Sequence, residues 1–162
     1  MEQAERKEII GVVERVFPSL QFEPTSEPCN KYNCIAWAVD SFNMSQWWWP
    51  NGPRTRAGGR FWPDGCPEDD AVGAFVASLE TLGYTQCLNK LFEPGFEKIA
   101  LYSRPEFPED KVTHAAVLLE DGSWSSKLGH YADIAHIGLD GLCGIKPAYG
   151  QLYCLMKRQS RR

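Results

Sequence analysis

Two residues in this chain could together carry nucleophilic chemistry, a cysteine and a histidine. Cys34 lies in the segment KYNCIAWA at positions 31–38, and His114 lies in THAAV at positions 113–117. A thiol and an imidazole are the minimum apparatus for covalent catalysis through sulfur, because the imidazole can take up the thiol proton. We therefore interpret Cys34 as a candidate nucleophile and His114 as its candidate base.

A short buried helix is expected to present the cysteine. Asn33 is a competent helix N-cap, and the apolar residues that follow Cys34 predict a helix over about 33–42 in the centre of the domain. In the first turn of such a helix, free backbone N–H groups would stabilise a thiolate and lower the thiol pKa from about 8.5. The same N–H groups could bind a developing oxyanion.

The histidine is expected at the end of a central strand. Residues 112–120 contain a run of Ala and Val that is typical of a strand buried in the middle of a sheet. The chain has three histidines. We expect His130 and His136 to lie in or near a turn after the hairpin, in solvated or capping positions, which leaves His114 as the candidate base.

The remaining pattern predicts one domain, residues 1–162, of the α+β class. An amphipathic helix is expected over 2–17, and a second helix begins with Pro67 and the acidic residues 68–70 in its first turn. An antiparallel sheet is expected over about 96–157, with a two-residue hairpin turn at Asp121-Gly122 and a short helical turn over 131–136.

Four of the six tryptophans lie in a region with little regular periodicity, between positions 47 and 62. An irregular segment this rich in aromatic residues either packs over a core or forms the wall of a groove. The pattern favours packing over the core, and it leaves Trp48 and Trp49 as candidates for a substrate groove.

Composition limits the possible partners and location. The formal net charge is −4, which gives no electrostatic reason to expect a nucleic acid or an anionic membrane as partner. The charged N-terminus lacks a signal peptide and no segment is apolar enough to span a bilayer, so a cytoplasmic location is the expectation. The spacing of the six cysteines matches no zinc motif. We therefore expect neither a metal nor another cofactor.

The motifs also resemble a known superfamily. A cysteine at a helix start with a tryptophan three residues later (Asn33 to Trp37), followed about 80 residues on by a His-Ala strand, resembles the papain-like cysteine peptidases, and most closely their compact NlpC-type branch. The segment YNCIAWA at 32–38, WWP at 48–50 and DGSWSSKLG at 121–129 more narrowly resemble an uncharacterised family of small bacterial proteins, which brings no activity with it.

The papain-like resemblance implies a role for each candidate residue. Cys34 would be the nucleophile and His114 the general base and acid, with a polar residue beyond His114 holding the imidazole. A two-residue hairpin turn would pair Gly129 with His114, so that the orienting residue is Asp133, Ser126 or His130; we favour Asp133, since a carboxylate also stabilises imidazolium. The remaining candidates for the oxyanion site or the groove are Asn33, Asn30, Trp37, Trp48 and Trp49, although Asn33 is read first as a cap.

These expectations favour a cysteine-dependent hydrolase or acyltransferase that acts on a peptide, isopeptide or ester bond through a thioester, with a peptide or protein as substrate. Two other functions remain open. The chain could be a catalytically inactive papain-like binding module that uses its tryptophan-rich segment, or it could be a bacterial toxin or effector domain.

Overall fold

A sheet of seven strands forms the centre of the protein. The structure is a computed structural model that describes residues 1–40, 47–50 and 60–161, apart from the side chain of Arg60. The elements in chain order are α1 (Gln3–Val16), β1 (Gln21–Pro24), α2 (Cys34–Val39), β2 (Trp47–Trp48), β3 (Arg60–Phe61), α3 (Val72–Glu80), β4 (Thr85–Cys87), β5 (Phe96–Arg104), β6 (Lys111–Leu118), β7 (Trp124–Lys127), β8 (Asp133–Ile137), a 3₁₀ turn (Asp140–Leu142) and β9 (Gln151–Gln159).

The strands follow the order β1-β8-β7-β6-β5-β9-β4, and their pairings are antiparallel. β2 and β3 form a separate parallel pair. This architecture confirms the predicted α+β class. None of the helices in the described ranges reaches the length and apolarity that a membrane-spanning helix needs.

Each face of the sheet carries its own apolar cluster. On one face, residues of β5 and β6 such as Leu101 and Ala115 pack with α2 and α3. On the other face, Tyr102 and Ala116 pack with Ile9 and Val13 of α1. Neighbouring residues of a strand point to opposite faces. Membership of a cluster therefore shows on which side of the sheet a residue lies.

The α1 helix is confirmed, but α3 begins later than the sequence predicts. The acidic residues 68–70 precede the helix, which starts at Val72. The carboxylates of Asp69 and Asp70 lie 3.0 and 3.2 Å from Nζ of Lys111 on β6. Asp69 and Asp70 are thus paired with a lysine of β6, and residues 68–70 do not form the first turn of α3.

The β6–β7 hairpin has a register one residue away from the predicted one. Val117 pairs with Ser125, and the N–H of Leu119 donates to the carbonyl of Ser123, so three residues form the loop. Gly122 supplies the positive φ, +89°, that such a loop needs. A one-residue shift exchanges the two faces of a strand. The predicted pairing of Gly129 with His114 is therefore wrong.

Two further segments differ from expectation because they join the sheet. The segment predicted as a helical turn over 131–136 contains the first four residues of β8, and the segment after α1, to which no element was assigned, contains β1. These strands pair with each other along one edge of the sheet. Since β8 also pairs with β7, it brings Asp133 and His136 beside the hairpin.

The α2 helix is only six residues long, Cys34 to Val39. Asn33 caps it as predicted, because its Oδ1 accepts the N–H of Ala36 at 3.1 Å. The same Oδ1 accepts the N–H of Trp48 at 3.0 Å, and Nδ2 donates to the Trp48 carbonyl at 3.1 Å. One buried amide thus joins the start of α2 to β2.

Replacement of this amide is expected to be costly. Asn33→Ala removes the cap and leaves the buried backbone groups of Trp48 without partners, so we expect the free energy of unfolding to fall by about 3 kcal/mol. Asn30→Ala is the control, because Asn30 is exposed. Urea denaturation of both variants measures the effect. A loss below about 1 kcal/mol in Asn33→Ala would contradict the assigned role.

Candidate functional site

Cys34 is the first residue of α2, and it is 6% exposed. Burial raises the pKa of its thiol to about 11, and the backbone N–H groups of Ala115 and Ile35, with the charge of Lys127, offset only part of that rise. The expectation of a lowered thiol pKa is therefore wrong for this conformation. Desolvation of the buried thiol outweighs the stabilisation that these N–H groups and the charge provide.

His114 is fully buried and belongs to the other face of the sheet. It pairs with Tyr102, while the next residue, Ala115, lies in the cluster that contains Cys34. The imidazole stacks on the ring of Tyr149 with centroids 4.0 Å apart and 1° between the planes. Burial, together with the nearby His136, holds the pKa of His114 well below 6.5. The structure thus keeps this ring neutral.

A chain of hydrogen bonds links His114 to two other buried side chains. Nε2 of His114 lies 2.9 Å from Oγ of Ser126, and the same Oγ lies 2.9 Å from Nε2 of His136. At the far end, Nδ1 of His136 lies 2.9 Å from the carbonyl oxygen of Gly138. We call His114, Ser126 and His136 the histidine relay.

The carbonyl end fixes the direction of every bond in the relay. A carbonyl only accepts, so Nδ1 of His136 must carry a proton. Burial lowers the pKa of His136 to about 4, so this ring is neutral and its Nε2 accepts the hydroxyl proton of Ser126. The Ser126 oxygen then accepts the Nε2–H of His114. Nδ1 of His114 is left with a free lone pair, and this atom has no hydrogen-bond partner among the described residues.

Asp133 does not orient His114. It pairs with Lys127, the residue after Ser126, so it lies on the opposite face of the sheet from the relay. Its Oδ2 accepts the hydroxyl of Tyr32 at 2.8 Å. The contact with the imidazole is made by Ser126, which the sequence left open as an alternative. The change follows from the hairpin register, which moves Ser126 to the face of His114.

Lys127 anchors the segments around Asp133. Its Nζ donates to the carbonyl oxygens of Cys29, Gly129 and Tyr131 at 2.6, 2.7 and 2.5 Å. This buried ammonium lies within electrostatic range of Cys34, since its charge lowers the thiol pKa against the larger effect of burial. Lys127 therefore places a positive charge on the Cys34 face.

The pairing between β6 and β7 is short. The ladder joins Val117 with Ser125 and Leu118 with Trp124, whereas residues nearer to His114 are outside it. Burial and, after it, the charge of Cys34 raise the pKa of Tyr149, the residue that stacks on His114. The thiol and the relay therefore lie within electrostatic range of the same tyrosine.

The other candidate residues lie around the start of α2. Trp37 Nε1 donates to Oγ of Ser125 at 2.8 Å, and Trp47 Nε1 donates to the carbonyl of Asn30 at 2.7 Å. Trp48 is buried, as the predicted core-packing role requires. The rings of Trp49 and Phe75 pack in a tilted arrangement with centroids 5.0 Å apart. The exposed His130 packs in the same way against Trp47, with centroids 4.7 Å apart. The residues between Trp49 and Phe61 that belong to the predicted loop lie largely outside the described ranges.

Two residues of the site were missed in the sequence. His136 was expected in a solvated turn, and Tyr149 received no role. The alternation of Asp133 to Ile137, once read as a strand, places His136 on the face of Trp124 and is the signal that would have found it. All six cysteines are unpaired, and no three potential metal ligands converge within the described residues.

The relay predicts how stability depends on pH. The pKa of His136 falls from 6.5 to about 4 on folding, and that of His114 falls well below 6.5. Below pH 6.5 the unfolded chain thus binds more protons than the folded one, so the free energy of unfolding decreases as pH falls, by up to about 1.4 kcal/mol per pH unit for each histidine.

Between pH 6.5 and 5, the free energy of unfolding of His136→Gln should fall less steeply with decreasing pH than that of the wild type, because one of the two buried histidines is absent. Urea denaturation at several pH values measures it, and His130→Gln, which alters the exposed histidine, should keep the wild-type slope. Equal slopes in all three proteins would contradict the buried neutral state of His136.

No curated protein and no solved structure matches the chain significantly. A family model described as a domain of unknown function, DUF7689, matches residues 23–157. The matched range contains Cys34, the whole histidine relay and Tyr149. Because this match covers most of the chain, the protein belongs to the DUF7689 family.

Proposed function

We propose that this protein is a cysteine-dependent hydrolase or acyltransferase that attacks an amide or ester bond through a thioester on Cys34, with His114 as base. The observation that carries the proposal is the free lone pair on Nδ1 of His114. A buried imidazole with one nitrogen engaged by a relay and the other left bare has a vacant acceptor site, and burial opposes its protonation in the described conformation. A purely structural histidine would be expected to satisfy both nitrogens.

The chemistry uses groups of this chain alone. Nδ1 of His114 accepts the thiol proton as Sγ of Cys34 bonds to the substrate carbonyl carbon, whose π electrons move to the oxygen. Collapse of that intermediate breaks the bond to the leaving amine or alcohol, which takes the proton from the imidazolium. Water or an acceptor amine then cleaves the thioester and returns the proton to the sulfur.

Ser126 and His136 act as positioning residues in this scheme. Their hydrogen bonds hold the proton of His114 on Nε2, and so keep Nδ1 unprotonated. The backbone N–H groups of Ala115 and Ile35, which favour the thiolate of Cys34, are candidates to stabilise the oxyanion. Asn33 does not serve as an oxyanion donor in this scheme, because its side chain already caps α2 and bonds the backbone of Trp48.

The described conformation is a closed one. The ring of His114 and the thiol lie on opposite faces of β6, so proton transfer requires a rearrangement that brings Nδ1 of His114 to Sγ of Cys34. Tyr149 is partly exposed, while the imidazole stacked against it is fully buried, so Tyr149 separates His114 from solvent on that side. Displacement of Tyr149 is therefore the first step of the proposed rearrangement.

We also infer a papain-like arrangement with a peptide or protein as substrate. The order of a helix bearing a cysteine, followed by an antiparallel sheet with a histidine on a central strand, supports this inference. The enclosure of both groups favours the second candidate, an inactive binding module in which Cys34 packs as a small apolar residue. The two functions differ in whether Cys34 can be acylated.

Acylation by p-nitrophenyl acetate distinguishes them. Cys154 is an internal control, because burial raises its pKa to about 11, as it does for Cys34. If the site is catalytic, acetylation of Cys34 at pH 7.5, followed by peptide mass spectrometry, should be at least about tenfold faster than that of Cys154. His114→Gln and Ser126→Ala should abolish the difference, whereas His130→Gln should preserve it.

Equal acetylation of Cys34 and Cys154 in the folded wild type would reject catalysis and support the binding module. A fast Cys34 that is unaffected by His114→Gln would reject His114 as the base. Far-UV circular dichroism of each variant verifies that the fold is retained.

A further inference from the structure

A cavity of about 220 Å³ lies between the C-terminal end of α2 and the end of β9. Neither Cys34 nor His114 lines it, so it is separate from the site described above. Its walls are mostly apolar and include two aromatic rings: Ala36, Val39, Trp48, Phe61 and Leu82. An apolar cavity of about 150 Å³ is large enough to hold benzene, so this one accommodates a group of one aromatic ring with a short polar extension.

Two arginines stand at the polar side of the cavity. Arg158 and Arg161 both donate to the carbonyl oxygen of Val39, at 2.5 and 2.9 Å. Nε of Arg158 lies 2.6 Å from a carboxylate oxygen of Glu97, and Nε of Arg161 lies 3.6 Å from the same oxygen. One carboxylate is therefore shared by two guanidinium groups.

The two arginines differ in accessibility. The side chain of Arg158 is 4% exposed and lies over the ring of Tyr84 at 4.3 Å, which makes it part of the wall. The side chain of Arg161 is 44% exposed. A guanidinium has five N–H donors in a planar fork that matches a carboxylate. Arg161 is thus the cation that a ligand can reach from solvent.

A buried hydroxyl beneath this cluster has no partner. Tyr84 is 1% exposed, and its Oη makes no hydrogen bond within the described residues. The charges of Arg158, Glu97 and Arg161 all act on this hydroxyl. Tyr84 does not line the cavity, so this hydroxyl lies behind the wall that Arg158 forms.

We infer that this cavity binds a small monocarboxylate with an apolar body, whose carboxylate meets Arg161 and whose apolar part packs against the wall formed by Trp48 and Phe61. The carboxylates of Asp40, which also lines the cavity, and Glu97 disfavour ligands with more negative charge, such as phosphates. This chemistry is found both in free aromatic or aliphatic acids and in the C-terminal residue of a peptide.

Three probes test the inference by isothermal titration calorimetry. They are 3-phenylpropionate as a free acid, N-acetylphenylalanine as a chain end, and N-acetylphenylalanine amide, which lacks the carboxylate. At least one acid should bind saturably, with Kd on the order of 1 mM or tighter, and the amide should bind at least about tenfold more weakly than N-acetylphenylalanine. The tighter of the two acids identifies the source of the carboxylate.

Arg161→Gln should weaken binding of the preferred acid at least about tenfold, because it removes a charged hydrogen-bond donor. Arg15→Gln, an exposed arginine on α1, should leave it unchanged. The ¹H–¹⁵N spectrum should show a shift of the Trp48 indole signal on titration. No saturable binding of either acid, equal binding of acid and amide, or an unchanged Kd in Arg161→Gln would overturn the inference.

Discussion

The pair of hydrogen bonds that Ser126 makes with His114 and His136 is the interaction on which the proposed function depends. One hydroxyl group, which both donates and accepts, couples the tautomers of two buried rings. A polar chain of this kind is stable inside a protein only if its donors and acceptors are matched, since each buried group left unpaired costs about 1–3 kcal/mol. The relay meets that condition at every atom but one, Nδ1 of His114.

The sheet separates the polar residues into two sets. The relay lies on the α1 face, and Cys34, Lys127 and Asp133 lie on the α2 face, because alternation along a strand fixes the side of each residue. Tyr149 is common to both, since it stacks on His114 and responds to the charge of Cys34. The chemistry therefore depends on how this tyrosine and the ring beneath it move.

Local signals in the sequence were sufficient for the class and for the main elements. The amphipathic period of α1 and the cap at Asn33 depend on neighbouring residues, and both agree with the structure. The third member of the site could not be predicted in this way. A loop of three residues instead of two at Asp121-Gly122 changes the face of every residue in β7, and so exchanges Ser126 for Lys127 beside the imidazole.

Burial was the second property that the sequence could not supply. The motif around Cys34 suggested a helix start that activates a thiol, but α2 has six residues and the surrounding core raises the thiol pKa. Similarly, β8 was read as a helical turn. Its strand pairs with β1, which is distant in the sequence, and with β7, which is short. Desolvation and strand pairing both depend on contacts made across the chain, which periodicity does not reveal.

The proposed catalysis depends on the tautomer of His114. Long-range ¹H–¹⁵N NMR correlation of the imidazole rings distinguishes a protonated from an unprotonated ring nitrogen, and comparison with His114→Gln assigns the signals. At pH 6 we expect His114 to be neutral, with the proton on Nε2 and a bare Nδ1. A proton on Nδ1, whether in the other neutral tautomer or in a charged imidazolium, would contradict this expectation.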